Sequence, residues 1–178
     1  TSAQYGADPT GVAMSTTALQ AWINTWSANK VPLCAPQGTF KTGTLHIPVS
    51  LNGFQLFGAG IGATTFVAAA ANQPIFQFDG AAGWETVTAS EMGGFSLKAH
   101  ASGSTGAAIL VQFVSHSTFR DISIEANGAG RFTKGILARA ATYSNTFEHI
   151  VGIGDGNPCP KNLISFEYLL GPATGPNL

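Results

Sequence analysis

Residues 117–128 and 145–156 are one phrase written twice, 28 residues apart. Ser117-Thr-Phe-Arg-Asp-Ile returns as Asn145-Thr-Phe-Glu-His-Ile, and Gly128 and Gly156 close the two copies. The echo extends outward. Phe95-Ser-Leu-Lys precedes Ile122-Ser-Ile-Glu by 27 residues, and Ile109, Ile136 and Ile164 recur at intervals of 27 and 28. A fixed period of this length means one short structural unit stacked on itself, each turn burying the face its neighbour leaves open. Inside the unit the apolar residues alternate with period two (Phe95, Leu97; Ile122, Ile124; Ile109, Val111), as strands do. The expected fold is therefore all-β, a solenoid of strand coils with parallel ladders.

The first fifty residues do not repeat. Leu19, Trp22, Ile23 and Trp26 fall at i, i+3, i+4 and i+7, the spacing of an amphipathic helix. Thr17 with Gln20 forms a candidate capping box and Ser15 is an alternative N-cap; Asn29-Lys30 ends the helix before Pro32. A helix over 16–29, placed ahead of a strand solenoid, is expected to cover the open end of the core. The division that follows is an N-terminal segment with its capping helix over 1–50 and stacked coils over 51–178. The closing Gly-Pro-Ala-Thr-Gly-Pro-Asn-Leu has no capping element, so the coils are expected to continue in a longer protein.

Four phrases in this order carry a resemblance: Gln4-Tyr-Gly-Ala-Asp-Pro-Thr-Gly-Val, Thr17-Ala-Leu-Gln-Ala-Trp-Ile, Ala35-Pro-Gln-Gly-Thr-Phe and Leu56-Phe-Gly-Ala-Gly. Together they resemble the start of the pectate-lyase-like right-handed parallel β-helix superfamily. The family's usual Asp-Asp before the helix is replaced by Met14-Ser15-Thr16. The resemblance implies a right-handed parallel β-helix with an N-terminal capping α-helix. It implies three functional classes: a bacteriophage tailspike segment, a secreted polysaccharide lyase or hydrolase, or a non-catalytic β-helix stalk. The polygalacturonase signatures of the superfamily do not occur in the chain, so no catalytic residue is carried over.

Charge and cysteine usage exclude other classes. With 8 Lys and Arg against 9 Asp and Glu the net charge is −1, which leaves no electrostatic footprint for nucleic acid or an anionic membrane surface. No apolar run reaches the roughly 18 residues of a membrane span. Cys34 and Cys159 occupy different parts of the repeat, several coils apart at about 4.8 Å per coil, too far to bridge. His46, His100, His116 and His149 show no metal-ligand spacing. The Gly-rich Leu56-Phe-Gly-Ala-Gly-Ile-Gly lacks a Lys and opens no helix, which argues against phosphate binding. No metal and no cofactor are expected.

Glycan cleavage in most hydrolase families needs two acids flanking the scissile bond. The repeat stacks Arg120 on Glu148, Asp121 on His149, Arg139 on Glu167 and Lys98 on Glu125. Adjacent strands favour such pairs and penalise like charges, so these acids read as scaffold. Asn145 and its counterpart Ser117 read as a ladder inside a turn. Asp8, Asp155 and the acids of 79–91 remain. The interval from Ile75 to Ile109 is longer than the period; an insertion in a solenoid maps to a loop on one face, often a functional one. It holds Trp84, which can stack on a sugar ring, among Asp79, Glu85 and Glu91, whose carboxylates accept hydroxyls. These four are the candidate glycan-binding residues. The expectation is a homotrimeric tailspike segment in the virion that binds bacterial surface polysaccharide. Whether it is itself an enzyme, and then a hydrolase or a lyase, stays open; a cellular homologue would be secreted.

Overall fold

The structure, a computed structural model, describes residues 2–80, 87–102, 104–140, 142–154, 160 and 162–167. A 3₁₀ turn (Ser2–Tyr5) leads into β1 (Thr10–Met14), α1 (Thr16–Asn24) and α2 (Trp26–Asn29). Next come β2 (Leu33–Cys34), β3 (Gly38–Thr42), β4 (Leu45–Pro48), a second 3₁₀ turn (Val49–Leu51), β5 (Gln55–Phe57), β6 (Thr64–Ala68) and β7 (Phe76–Asp79). The chain then runs through β8 (Val87–Thr88), β9 (Glu91–Lys98), β10 (Ser104–Gln112), β11 (Val114–Ser115) and β12 (Thr118–Glu125). It closes with β13 (Arg131–Arg139), β14 (Thr146–Ile153) and β15 (Asn162–Glu167).

The strands form three parallel sheets. The first runs β1-β3-β6-β9-β12-β14 with β2 and β5 alongside, the second β15-β13-β10-β7-β4, and the third pairs β8 with β11. Parallel neighbours cannot be joined by a hairpin. Here each return passes through the other sheets: β9, β10 and β11 complete one circuit, and β12, β13 and a bridge from Tyr143 to Ser115 complete the next. The period read from the sequence is the length of one circuit.

Register follows the apolar alternation. Ile136 pairs with Ile109 on one side and Ile164 on the other. Phe119 sits between Met92 and Phe147, its ring stacked on that of Phe147 at 5.3 Å. Phe40, Phe66, Phe76, Phe78 and Phe95 are wholly buried in the same core, each worth about 1.5–3 kcal/mol of transfer free energy. The long interval begins at Phe76, which pairs with Ile109, one residue later than the Ile75 suggested by residue type.

The circuits turn on single residues in the left-handed backbone region. Gly94, Asp121 and His149 (φ 71, 54 and 48°) bend β9, β12 and β14 at one level. Ala89, His116 and Ser144 (52, 52 and 54°) turn the third sheet into the first, and Phe113 and Ala140 (51 and 57°) turn the second into the third. Asp and His tolerate this region better than most residues; Phe113 is an outlier there. Each non-glycine corner costs of order 1 kcal/mol and persists because both flanking strands are held by ladders. Beside one corner Ser90 N–H donates to Ser117 Oγ (3.1 Å) and Ser117 N–H to Asn145 Oδ1 (2.9 Å), so the expected turn ladder is present.

At the N-terminal end, Leu19, Trp22, Ile23 and Trp26 are buried in the core. The capping box does not form. Ser15 precedes α1 without capping it, because its hydroxyl accepts the Asp8 N–H (2.9 Å). Gln20 is used otherwise: its Oε1 accepts the His46 N–H (2.8 Å) while its Nε2 donates to the His46 carbonyl (2.9 Å). One side-chain amide thus stands where a further strand would pair with β4.

Candidate functional site

The 79–91 segment joins all three sheets, and its ends land on different ones. Asp79 closes β7 in the second sheet, Val87–Thr88 lie in the third, and Glu91 opens β9 in the first. Asp79 and Glu91 are therefore not brought together on one ladder. Trp84 and Glu85 lie outside the described residues, as do Asp155 and Cys159.

Both described acids have partners that the sequence reading did not foresee. Asp79 Oδ2 is 2.6 Å from His46 Nδ1, and its Oδ1 accepts from Gln77 Nε2 at 2.6 Å. Glu91 Oε1 accepts from Arg120 Nε at 2.6 Å, and the Arg120 guanidinium lies 5.6 Å from the Phe57 ring centroid. The expectation that these carboxylates lack a scaffold role is thus corrected. Each keeps lone pairs that can accept a hydroxyl. His46, which shows no metal-ligand spacing in the sequence, also lines an open groove of ≈ 660 Å³ with Thr16, Thr17, Gln20, Asn24 and Pro48. No sequence spacing signals that groove, since α1 and β4 meet only in the folded chain.

The charge ladder holds in part. Arg139 Nε donates to Glu167 Oε2 at 2.8 Å and Lys134 Nζ to Glu167 Oε1; these two cations hold the Glu167 carboxyl below the usual range, the Lys134 hydrogen bond foremost. His149 Nδ1 lies 2.8 Å from Asp121 Oδ1. Glu125 is in register with Lys98 but accepts from Ser123 Oγ. Arg120 is in register with Glu148 yet turns back to Glu91, which leaves Glu148 without an ion pair among the described residues. Asp8 belongs to the scaffold. Its carboxylate takes the hydroxyl and N–H of Thr10 and the N–H groups of Val12 and Ala13. These bonds, led by the Thr10 hydroxyl, lower its pKa from 3.8 to about 2.

Among the described residues no group of three or more His, Cys, Asp or Glu is placed to hold a metal, and no helix is long and apolar enough to cross a membrane. No protein-family model matches the sequence, and no curated protein matches it significantly. Solved structures do share the fold. ORF18 of Geobacillus virus E2 superposes with a TM-score of 0.62 at 17% identity, over 90% of this chain and 39% of that one. The pre-mature gene product 12 of bacteriophage phi29 gives 0.57 at 14% identity, over 86% of this chain and 29% of that one. The A-module of the Azotobacter vinelandii mannuronan C-5 epimerase AlgE4 gives 0.52 at 15%, over 85% and 50%. The chain thus spans half or less of the length of these structures. At such identities the shared property is the fold.

Proposed function

We propose that this chain is a segment of a phage tailspike or tail fibre, a right-handed parallel β-helix that recognises bacterial surface polysaccharide as a homotrimer in the virion. The observation that carries the reading is the match of one continuous parallel-β architecture to two virus-encoded proteins over nearly the whole chain. The third structural neighbour is named for action on mannuronan, which supports a polysaccharide as the partner. A backbone bonded through parallel ladders and few charged residues suits a durable virion part.

Recognition is placed on the 79–91 segment, with Trp84 as stacking platform and Asp79, Glu85 and Glu91 as hydroxyl acceptors. Depolymerisation, where it occurs, belongs to the full-length protein. The described acids of the segment are tied to His46, Gln77 and Arg120 and lie on separate sheets, whereas paired-acid hydrolysis needs two carboxyls across one bond. Size-exclusion chromatography with light scattering on the full-length protein tests the assembly: a trimer is expected, and a monomer turns the reading toward a secreted polysaccharide-modifying enzyme, which the epimerase neighbour favours. Titrating host polysaccharide against Trp84→Ala tests the platform; unchanged affinity in a folded variant removes it.

A further inference from the structure

We infer that the corner turning the third sheet into the first, together with the outward side chains that follow it on β12 and β14, is a second saccharide-binding strip, selective for neutral or amino-substituted sugars. The inference rests on the polysaccharide reading above and adds a place and a sugar class.

The corner carries an exposed aromatic pair. Tyr143 keeps 50% of its surface open, and its ring meets that of the exposed His116 edge to face, with centroids 5.7 Å apart. Isolated apolar residues on a surface need no explanation; here two rings of successive circuits meet on one edge. Their backbones are fixed. Tyr143 N–H donates to the Val114 carbonyl and His116 N–H to the Tyr143 carbonyl, while the Asn145 amide donates to Val114 on the same turn. Side chains on a backbone held in place before binding lose less entropy when a ligand docks, and a flat ring with a hydroxyl tip fits the mixed apolar and polar surface of a sugar.

The polar complement follows within a few residues. Thr118 pairs with Thr146 and Arg120 with Glu148. Thr146 and Glu148 are exposed, and Phe147 between them packs toward the core, so the two polar residues share the outward face. Neighbouring strands set these pairs about 4.8 Å apart and alternate residues about 6.6 Å apart, a grid that suits ring hydroxyls. The diversion of Arg120 to Glu91 is what frees the Glu148 carboxylate as an acceptor. Asp121 is held by His149, and Arg120 is shared between Glu91 and Asp121, so Glu148 is the acid of this strip without a counter-charge among the described residues. It accepts from hydroxyl or ammonium groups and repels a uronate.

The test uses the full-length protein on an array of bacterial capsular and O-antigen polysaccharides, with oligosaccharides of the best-bound polymer carried into calorimetry. Tyr143→Ala is expected to weaken binding about tenfold, the equivalent of one good stacking contact, and Tyr143→Phe to retain most of it. Glu148→Gln is expected to raise the relative affinity for mannuronan oligomers, a uronate probe. Unchanged affinity in Tyr143→Ala, or loss confined to Trp84→Ala, overturns the strip and leaves the polysaccharide reading standing. Failure of the wild-type protein to bind any polysaccharide on the array overturns both.

Discussion

The two parts of this molecule solve the same hydrogen-bonding problem by different means. In β9, β10, β12 and β13 each strand finds its partners in the backbone of the circuits before and after it. At the N-terminal end of the described residues, side chains take bonds that the backbone of a neighbouring circuit takes elsewhere. Asp8 takes the free N–H groups of Thr10, Val12 and Ala13, and Gln20 pairs with both polar groups of His46. Trp26 Nε1 donates to the Asn52 carbonyl, and Asn52 Oδ1 accepts from Thr88. An open sheet edge exposes a row of unpaired donors and acceptors. The comparison teaches that repetition supplies register cheaply within the stack, whereas the end requires specific polar side chains that no period predicts.

The sharpest way to break the comparison is a substitution that separates two circuits without touching the cap. A Cβ added at Gly93 would fall inside the van der Waals radius of the Arg120 carbonyl oxygen on the next circuit. Gly93→Ala is expected to destabilise by about 3 kcal/mol or more, since overpacking against backbone has no flexible neighbour to absorb it; chemical denaturation measures it. In the cap, Gln20→Ala removes two hydrogen bonds to β4 and should cost about 1–2 kcal/mol. Its signature is local: amide exchange accelerates around His46 and stays unchanged at Ile122 and Ile136.

Acid separates the regions through Asp8. Its pKa is lowered in the folded chain, so the stabilisation is fully present above the ordinary value of 3.8 and is lost as pH falls through about 2. Asp8→Asn should flatten the pH dependence of cap melting in that window and leave it unaltered above pH ~5, as followed by near-ultraviolet circular dichroism. A smaller effect of opposite sign is expected at a corner of the stack. Ala140 sits at φ 57°, and Ala140→Gly should stabilise by about 1 kcal/mol or less, read as a rise in melting temperature. The smallest effect is expected at Glu148, where removal of an exposed carboxylate outside any described ion pair should shift stability within about 0.5 kcal/mol. A larger loss for Glu148→Ala would show that the register partner, Arg120, had been engaged after all.

The parallel ladders were legible because stacking makes like residues neighbours: Ile109, Ile136 and Ile164, and Phe119 with Phe147, could be aligned by counting. Counting names the nearest strand positions and not the direction in which a long side chain leans. Arg120 is flanked in register by Gly93 and Glu148, yet its guanidinium reaches Glu91, two residues along the preceding strand. The corners escaped notice for another reason. Ala89, Phe113 and Ala140 are not turn formers, and only Gly94 carries the usual mark of a left-handed backbone. The His46–Asp79 contact and the aromatic corner depend on circuits of unequal length and on exposure, which a period does not encode. Of the four candidate glycan contacts, the two described ones appear on separate sheets for the same reason: the segment crosses the third sheet between them.

One-residue corners also govern how such a chain can lengthen through evolution. Adding a residue at Asp121, inside a paired strand, would reverse the inward and outward faces of the strand residues that follow it. The passage from the second sheet to the third shows how length is added instead: Phe113 alone separates Gln112 from Val114, whereas residues 80–86 separate Asp79 from Val87, their register partners on the preceding circuit. Novelty in this architecture should therefore enter as whole loops at the corners between sheets, while the paired strands on either side are inherited unchanged in length.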